Sequence, residues 1–394
     1  MNSINRVHLY LLFGLWLLVH IFLFYYPGVR SNLYDAKGYI TSADFFLAHG
    51  SFEVFHQIFY ALPILLIAFF KVIPGGGITG FILFQCFLSG VAALCLYRAA
   101  SILFKDHIAG LTSAAIFICW WDVIQWNTAV MTESIACSLT CLVILKLVVF
   151  RDTIKDYAIL ILLLMLCTST RPTGVLVVFG TFIFLAVRHW HFFASRPYGR
   201  ILLLTVFALI GFLGATFMFH HWDLTEQYSK GNIITYMDTI EGLILFHENL
   251  RLDTSDLVLP DPERPPFLKM LYFIWHNPIH FGTAAVLKVF YLVTGTRPYF
   301  SLIHNAYAVV WLSLVYTLFF FGFFRAGDKA TKYFCLAIVV ANCLLIAVAT
   351  VDWDNRFYVP MQPGIALLAG GGSAYFIQYL MLRKAKILVE SPND

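Results

Sequence analysis

The chain has 394 residues, 60% hydrophobic and only 12% charged, with a mean hydropathy of +0.79 and a formal net charge of +4. A water-soluble fold of this composition would expose a large apolar surface, so the sequence describes an integral membrane protein. No basic cluster interleaved with aromatic residues accompanies the small positive charge, which argues against nucleic acid as a partner.

Crossing roughly 30 Å of hydrocarbon takes about 20 helical residues. In chain order, apolar runs predict spans at residues 8–26, 78–97, 108–127, 132–150, 157–170, 174–187, 201–220, 303–324, 333–351 and 361–381. Segments 57–73 and 279–296 are apolar but ambiguous. A lipid-exposed backbone must satisfy its own hydrogen bonds, so the expected fold is an all-α polytopic membrane protein of about 10–12 transmembrane or membrane-embedded helices. It is read as one transmembrane domain over residues 1–394. The first run has only Arg6 ahead of it and no small-x-small cleavage site after it, so it reads as a retained helix. Cys86, Cys95, Cys119, Cys137, Cys141, Cys167, Cys335 and Cys343 all lie in or at the ends of apolar runs, as packing residues rather than a disulfide framework.

Short cytoplasmic loops should collect Lys and Arg. With the N-terminus inside and both ambiguous segments on the outer face, one side receives Arg6, Arg98, Lys105, Lys146, Arg151, Lys155, "RHWHFFASRPYGR", "RAGDK", Lys332 and "RKAK". Both termini are then cytoplasmic. The rival arrangement, N-terminus outside with 57–73 spanning, fits the later loops equally well but moves the loop of Asp35 to the cytoplasm. On the favoured arrangement the outer face carries a first loop with interfacial helices, residues 27–77, and a second large region, 221–302. Three short turns join them: "WNTAVMTES", "STRPTG" and "DWDNRFYVPMQP".

Candidate chemistry gathers in these outer segments. In "NLYDAKGYITSADFFLAHG" (32–50), Asp35, Tyr39 and Ala43 recur every four residues and share one helix face with Asp35 at its outer end. Asp44 follows, and Gly50 ends the helix. Asp35 also suits a simple helix cap, and Glu133 in "MTESIA", opening a span, also suits dipole stabilisation. Pro172 and Gly174 account for the turn in "TSTRPTG" but not for Arg171, which at membrane depth needs a partner or a polar cavity. Arg356 in "DWDNRFYVPMQPG", followed by Tyr358, offers a planar donor fork suited to a phosphate oxyanion. The pair Asp352 and Asp354 reads more readily as neutralising Arg356 than as a metal site. Arg297 and His56 are weaker candidates. His220 and His221 are adjacent and lack the spacing of a shared metal site, and Gly75–Gly77 lack the Lys-Ser/Thr of a phosphate loop. The acidic, proline-rich "HENLRLDTSDLVLPDPERPPF" reads as a solvated outer loop that shapes an acceptor site.

Asp35, Tyr39 and Ala43 at intervals of four, "HG" (49–50), "YALP" (60–63), "TES" (132–134), "RPTG" (171–174) and "RFYVPMQPG" (356–364) together resemble the GT-C superfamily of membrane glycosyltransferases. Its bacterial protein-mannosyltransferase and lipid A aminoarabinose-transferase types are the nearest in style. The resemblance runs over residues 10 to 380 through short, degenerate motifs. It implies a GT-C-like helical bundle in a bacterial inner membrane, a polyprenyl-phosphate sugar as donor substrate, no cofactor, and a glycan, lipid or protein acceptor. It further implies Asp35 as the general base and Arg356 as a ligand of the donor phosphate, with Arg171, Arg297 and His56 as further phosphate candidates. Tyr39, Asp44, Glu133 and Tyr358 are then supporting or substrate-binding residues, and no metal is required. Where several relatives carry an acidic pair or a Lys-Pro-Pro segment in the first loop, this chain has "YDAKG" and "YALP". The alternative function is a transporter or flippase of lipid-linked saccharides, which would place its polar residues near mid-membrane in broken or repeated helices rather than at one face.

Overall fold

The computed structural model describes residues 6–390 apart from 197, 200, 202–204, 206–208, 210, 212–223, 236 and 238–249, with backbone alone for Tyr34 and 384–390. The expected span 201–220 lies outside the described residues apart from 201, 205, 209 and 211, as do His220 and His221.

Among the described residues, regular structure is helical, with isolated β-bridges and no named strand. The helices are α1 (Arg6–Tyr25), α2 (Tyr34–His49), α3 (Ala61–Val72), α4 (Gly77–Phe104), α5 (His107–Cys119), α6 (Glu133–Val148) and α7 (Ile154–Thr170). They continue with α8 (Val175–Arg188), α9 (Pro266–His276), α10 (Pro278–Thr294), α11 (Leu302–Arg325), α12 (Lys329–Val348) and α13 (Gln362–Glu390); short helical turns are left unlabelled. Among the described residues, six helical segments are long and apolar enough to cross a membrane: Arg6–Tyr25, Phe55–Val72, Gly77–Phe104, Leu302–Arg325, Lys329–Val348 and Arg356–Arg383. The chain is an all-α polytopic membrane protein.

Three of the expected spans correspond to shorter helices. α6, α7 and α8 have 16, 17 and 14 residues, so at 1.5 Å per residue they cover only about 21 to 26 Å. Phe55–Val72 reaches span length because a 3-10 turn, Phe55–Tyr60, runs directly into α3, and a 3-10 turn rises about 2 Å per residue. The expected continuous span 108–127 is broken: α5 stops at Cys119 and Trp121–Thr128 leaves at 61°. The break has a polar cause. Asn127 is buried, and its amide nitrogen donates to Ser89 Oγ and to His20 Nε2, both at 2.9 Å, while its oxygen accepts from Ser134 Oγ at 2.7 Å. His20 Nδ1 lies 2.7 Å from the carbonyl of Trp16; a carbonyl can only accept, so Nδ1 carries the proton and Nε2 is free to accept. A straight helix would leave this network unmade in a medium that cannot replace it.

The chain divides into two compact units, one of Met1–Phe184, Ser313–Val339 and Val359–Asp394, the other of Leu185–Leu312 and Val340–Tyr358. In the first, α5 and α13 pack closely because α13 carries Gly370, Gly371 and Gly372 where its neighbours arrive. A β-carbon on Gly370 would lie 2.5 Å from the carbonyl oxygen of Ala109; one on Gly371 would overlap the ring of Phe104, and one on Gly372 the carbonyl of Leu318 in α11. Small residues let backbones approach where no hydrophobic effect drives helices together. Thr112 Oγ1 also donates to the carbonyl of Gly370 at 3.1 Å.

In the second unit the core is Tyr228, Met270, Phe273 and Ala284, with Leu252, Leu257 and Phe281 packed on it. Lys288 of α10 is fully buried; its Nζ donates to the carbonyl of Ala349 at 2.8 Å and lies 3.5 Å from the centroid of the Tyr228 ring. Tyr228 donates to the carbonyl of Ala347, so both side chains hold the end of α12.

Candidate functional site

The loop between α1 and α2 is fixed before α2 begins. Arg30 donates its backbone N–H to Thr128 at 2.9 Å and accepts from Val130 at 3.0 Å. Its Nη2 donates to the carbonyl of Gln125 at 2.5 Å, and its guanidinium lies 5.0 Å from the Trp126 centroid. The chain thereby enters α2 at a set position on the bent segment after α5. α2 then packs through Ala36 and Ala43, both fully buried, whose small side chains let the helix lie close to its support. Asp35 stands in its first turn, where the exposed N–H groups and the helix dipole favour a carboxylate.

Tyr39, one turn further, centres a polar cluster. Its ring lies 5.5 Å from that of Tyr60. Burial holds the phenol well above its ordinary pKa, and Tyr60, Glu133 and Asp35 push the same way against Arg171. Tyr39 is therefore a neutral hydroxyl, surrounded by two carboxylates and a guanidinium near enough to act on it electrostatically. Glu133 opens α6, and its Oε1 accepts from Arg171 Nη1 at 3.0 Å with both side chains buried. Arg171 ends α7 in extended backbone ahead of Pro172. Gly174 is needed there because a β-carbon would strike the carbonyl of Cys167. In the first unit Glu133 and Arg171 are in direct contact, and they and Asp35 lie within electrostatic reach of Tyr39.

Two other predicted residues stand at its surface. Asp44 is exposed and pairs with Lys71 at 2.5 Å, tying α2 to α3. His56 is exposed on the 3-10 turn. Its neighbour Gln57 does the structural work: Oε1 accepts from the backbone N–H of Glu53 at 3.0 Å and Nε2 donates to Ser42 Oγ at 2.9 Å.

The second unit holds the remaining basic candidates. Arg297 is 1% exposed. Its Nε and Nη2 donate to the carbonyl of Asp352 at 3.3 and 2.8 Å, and its Nη1 donates to those of Tyr291 and Thr296 at 2.7 and 2.8 Å. It is a clamp on backbone carbonyls, and little of its donor fork remains for another ligand. Asp352 caps the turn that follows: Oδ2 accepts from the backbone N–H groups of Arg356 at 2.6 Å and Asp354 at 3.2 Å, and Oδ1 from Phe357 at 3.2 Å. Burial pushes this carboxyl up, but the Asp354 hydrogen bond, the Arg297 and Arg356 guanidiniums and the Phe357 amide outweigh it and hold the pKa below the usual carboxylate range. Asn355 takes left-handed backbone, φ +63°, and donates to the carbonyl of Gly295 at 2.8 Å.

On this rigid turn sits Arg356. Its Nε lies 3.5 Å from Asp354 Oδ1, and its side chain retains 11% exposure. Of the two arginines in this unit's set, Arg297 clamps backbone carbonyls and Arg356 pairs with the Asp354 carboxylate. Tyr358, two residues on, is buried.

Sequence reasoning missed Arg30, Gln125 and Asn127. The one signal for Gln125 and Asn127 was the density of Asp, Gln, Asn and Thr in "WWDVIQWNT", too polar for a plain span.

No family model matches the chain, and no curated protein matches it. Among solved structures it is similar to the archaeal oligosaccharyltransferase AglB from Archaeoglobus fulgidus, in complex with an inhibitory peptide and a dolichol-phosphate. The two are 12% identical, with a TM-score of 0.49 over 98% of this chain and 52% of that one. This chain therefore spans about half the length of that protein.

Proposed function

We propose that the protein is a GT-C-type glycosyltransferase that moves a sugar from a polyprenyl-phosphate donor to an acceptor hydroxyl at the outer membrane face, with inversion at the sugar carbon. The observation that carries the reading is the cluster around Tyr39, in which a carboxylate on a helix N-terminus, Asp35, stands with a buried ion pair, Glu133 and Arg171. The sequence resemblance gives that carboxylate its role.

In this reading Asp35 accepts the acceptor hydroxyl proton as the oxygen attacks the anomeric carbon, and the bond from that carbon to the phosphate oxygen breaks. The leaving polyprenyl phosphate gains negative charge, which positive groups stabilise in the transition state. Arg356 is the group assigned to that phosphate, since its guanidinium is held on a capped turn and keeps exposure. Arg297 serves as the clamp beneath the same turn. Arg171 contributes field rather than a direct phosphate contact, because Glu133 already neutralises it. Tyr39 keeps its proton and, as a neutral hydroxyl, is available as a donor to the sugar. Arginine supplies the charge stabilisation, and the Asp352 oxygens are already taken by backbone amides.

Binding of polyprenyl phosphate to the purified protein, wild type against Arg356→Ala, tests the donor assignment. A charged hydrogen bond contributes about 1.5–3 kcal/mol, so the expected loss of affinity is roughly 10- to 100-fold. Absence of binding to the wild type would remove the donor class, and equal binding by the two proteins would remove Arg356 from the site.

A further inference from the structure

We infer that α9 and α10 form a lipid-facing hairpin that seats the second unit on the bilayer. Neither helix is among the six segments long enough to span, having 11 and 17 residues. Each nevertheless carries two apolar faces. Met270 and Phe273 of α9, and Ala284, Lys288 and Leu292 of α10, point into the core. The opposite stripe is exposed: Leu268, Leu271 and Trp275 at spacings of three and four on α9, then Ile279, Val286 and Phe290 at spacings of seven and four on α10. Trp275 is 83% and Ile279 84% exposed. An amphipathic helix in water exposes its polar side; here α10 turns its one lysine inward, onto a carbonyl and a tyrosine ring, and leaves valine and phenylalanine outside. That inversion fits an apolar surrounding.

The occupant is acyl chain with headgroup at its edge. Leu268, Leu271 and Trp275 line an open groove of about 610 Å³ together with Arg264, Tyr272 and His276. Arg264 lies over the Tyr272 ring at 4.6 Å, so a cation and two amphipathic rings stand beside the stripe, the composition of a membrane interface. The same unit already carries membrane-crossing chain in the first part of α11, where Leu302, Ile303 and Val310 are exposed in the same manner. The lipid facing that stretch is therefore within the surroundings of this unit. A hairpin so seated presents the acidic segment that runs from Asp253 to Glu263, immediately ahead of α9, at the membrane surface.

The test is photolabelling of the full chain in liposomes of phosphatidylcholine bearing a diazirine on the acyl chain, with adducts mapped by mass spectrometry. The exposed start of α11 is the internal standard. Adducts on Trp275, Ile279, Val286 and Phe290 at the level of Leu302 and Val310 are expected, with few on Asp256 or Glu263. Labelled α11 with unlabelled α9 and α10 would overturn the inference. So would adducts that disappear as protein is concentrated while cross-links between copies through Trp275 appear, since the stripe would then belong to a second copy. In Trp275→Asp the adducts on this hairpin should fall several-fold while those on α11 stay.

Discussion

A charge buried with its partner behaves differently from one left at the surface. Glu133 and Arg171 are both buried and mutually hydrogen-bonded at 3.0 Å, so removing either partner strands a charge in a medium that cannot solvate it. Glu133→Gln or Arg171→Met should each cost about 3–5 kcal/mol, whereas the double variant should recover much of the loss. Thermal unfolding of the purified protein in detergent reads all three. Asp44 is the contrast: it is exposed beside Lys71, and Asp44→Asn should cost less than about 1 kcal/mol. The spacing of Asp35 and Tyr39 was legible in the sequence because it is local. The clamp role of Arg297 was not, because its acceptor at Asp352 lies 55 positions away and is a carbonyl, which no side-chain pattern advertises. Arg30 on Gln125, 95 positions apart, was hidden for the same reason.

At the scale of the element, hydropathy sees composition and not pairing. It read residues 108–127 as one span, although "WWDVIQWNT" carries the Asn127 network that bends the chain by 61°. It placed helices α6, α7 and α8 correctly, and the runs 157–170 and 174–187 were already short of a full crossing; only the 132–150 run, a 16-residue helix in α6, looked longer than it is. The glycines of α13 were visible as letters, but what they accommodate is a close approach set by tertiary structure. Gly372→Val would force a side chain into the carbonyl of Leu318. Overpacking of this kind costs about 1–3 kcal/mol or more, so the variant should show a lowered melting temperature, measured in the same detergent, while Gly14→Ala, with open space at its β-carbon, should not.

For the molecule as a whole, acid is the revealing variable. Burial raises the Asp352 carboxyl, yet its hydrogen bonds and the two guanidiniums hold the pKa below the usual range. Asp156, in the first turn of α7, is held well below it by Lys146 and Thr153. A carboxylate depressed in the folded state contributes stability that is fully present above its unfolded pKa, near 4, and is lost as pH falls through that value towards the folded one. Thermal stability should therefore be flat between about pH 7 and 5 with respect to these groups and decline below about pH 4. Asp352→Asn, lower throughout because a neutral amide is a poorer acceptor for three N–H groups, should show a shallower decline. The all-helical, polytopic fold was legible from composition and apolar runs alone; the division into two compact units was not, because each unit is assembled from segments far apart in sequence.

The central claim is that Asp35 is the base of a lipid-linked sugar transfer. Its most direct measurement is release of polyprenyl phosphate from a labelled polyprenyl-phosphate sugar by the purified chain in liposomes with an acceptor present, wild type against Asp35→Asn. Loss of a general base removes about 10²–10⁴ of rate, so turnover should fall by that factor while the melting temperature and donor affinity stay at wild-type values. Equal turnover by the two proteins would contradict the account.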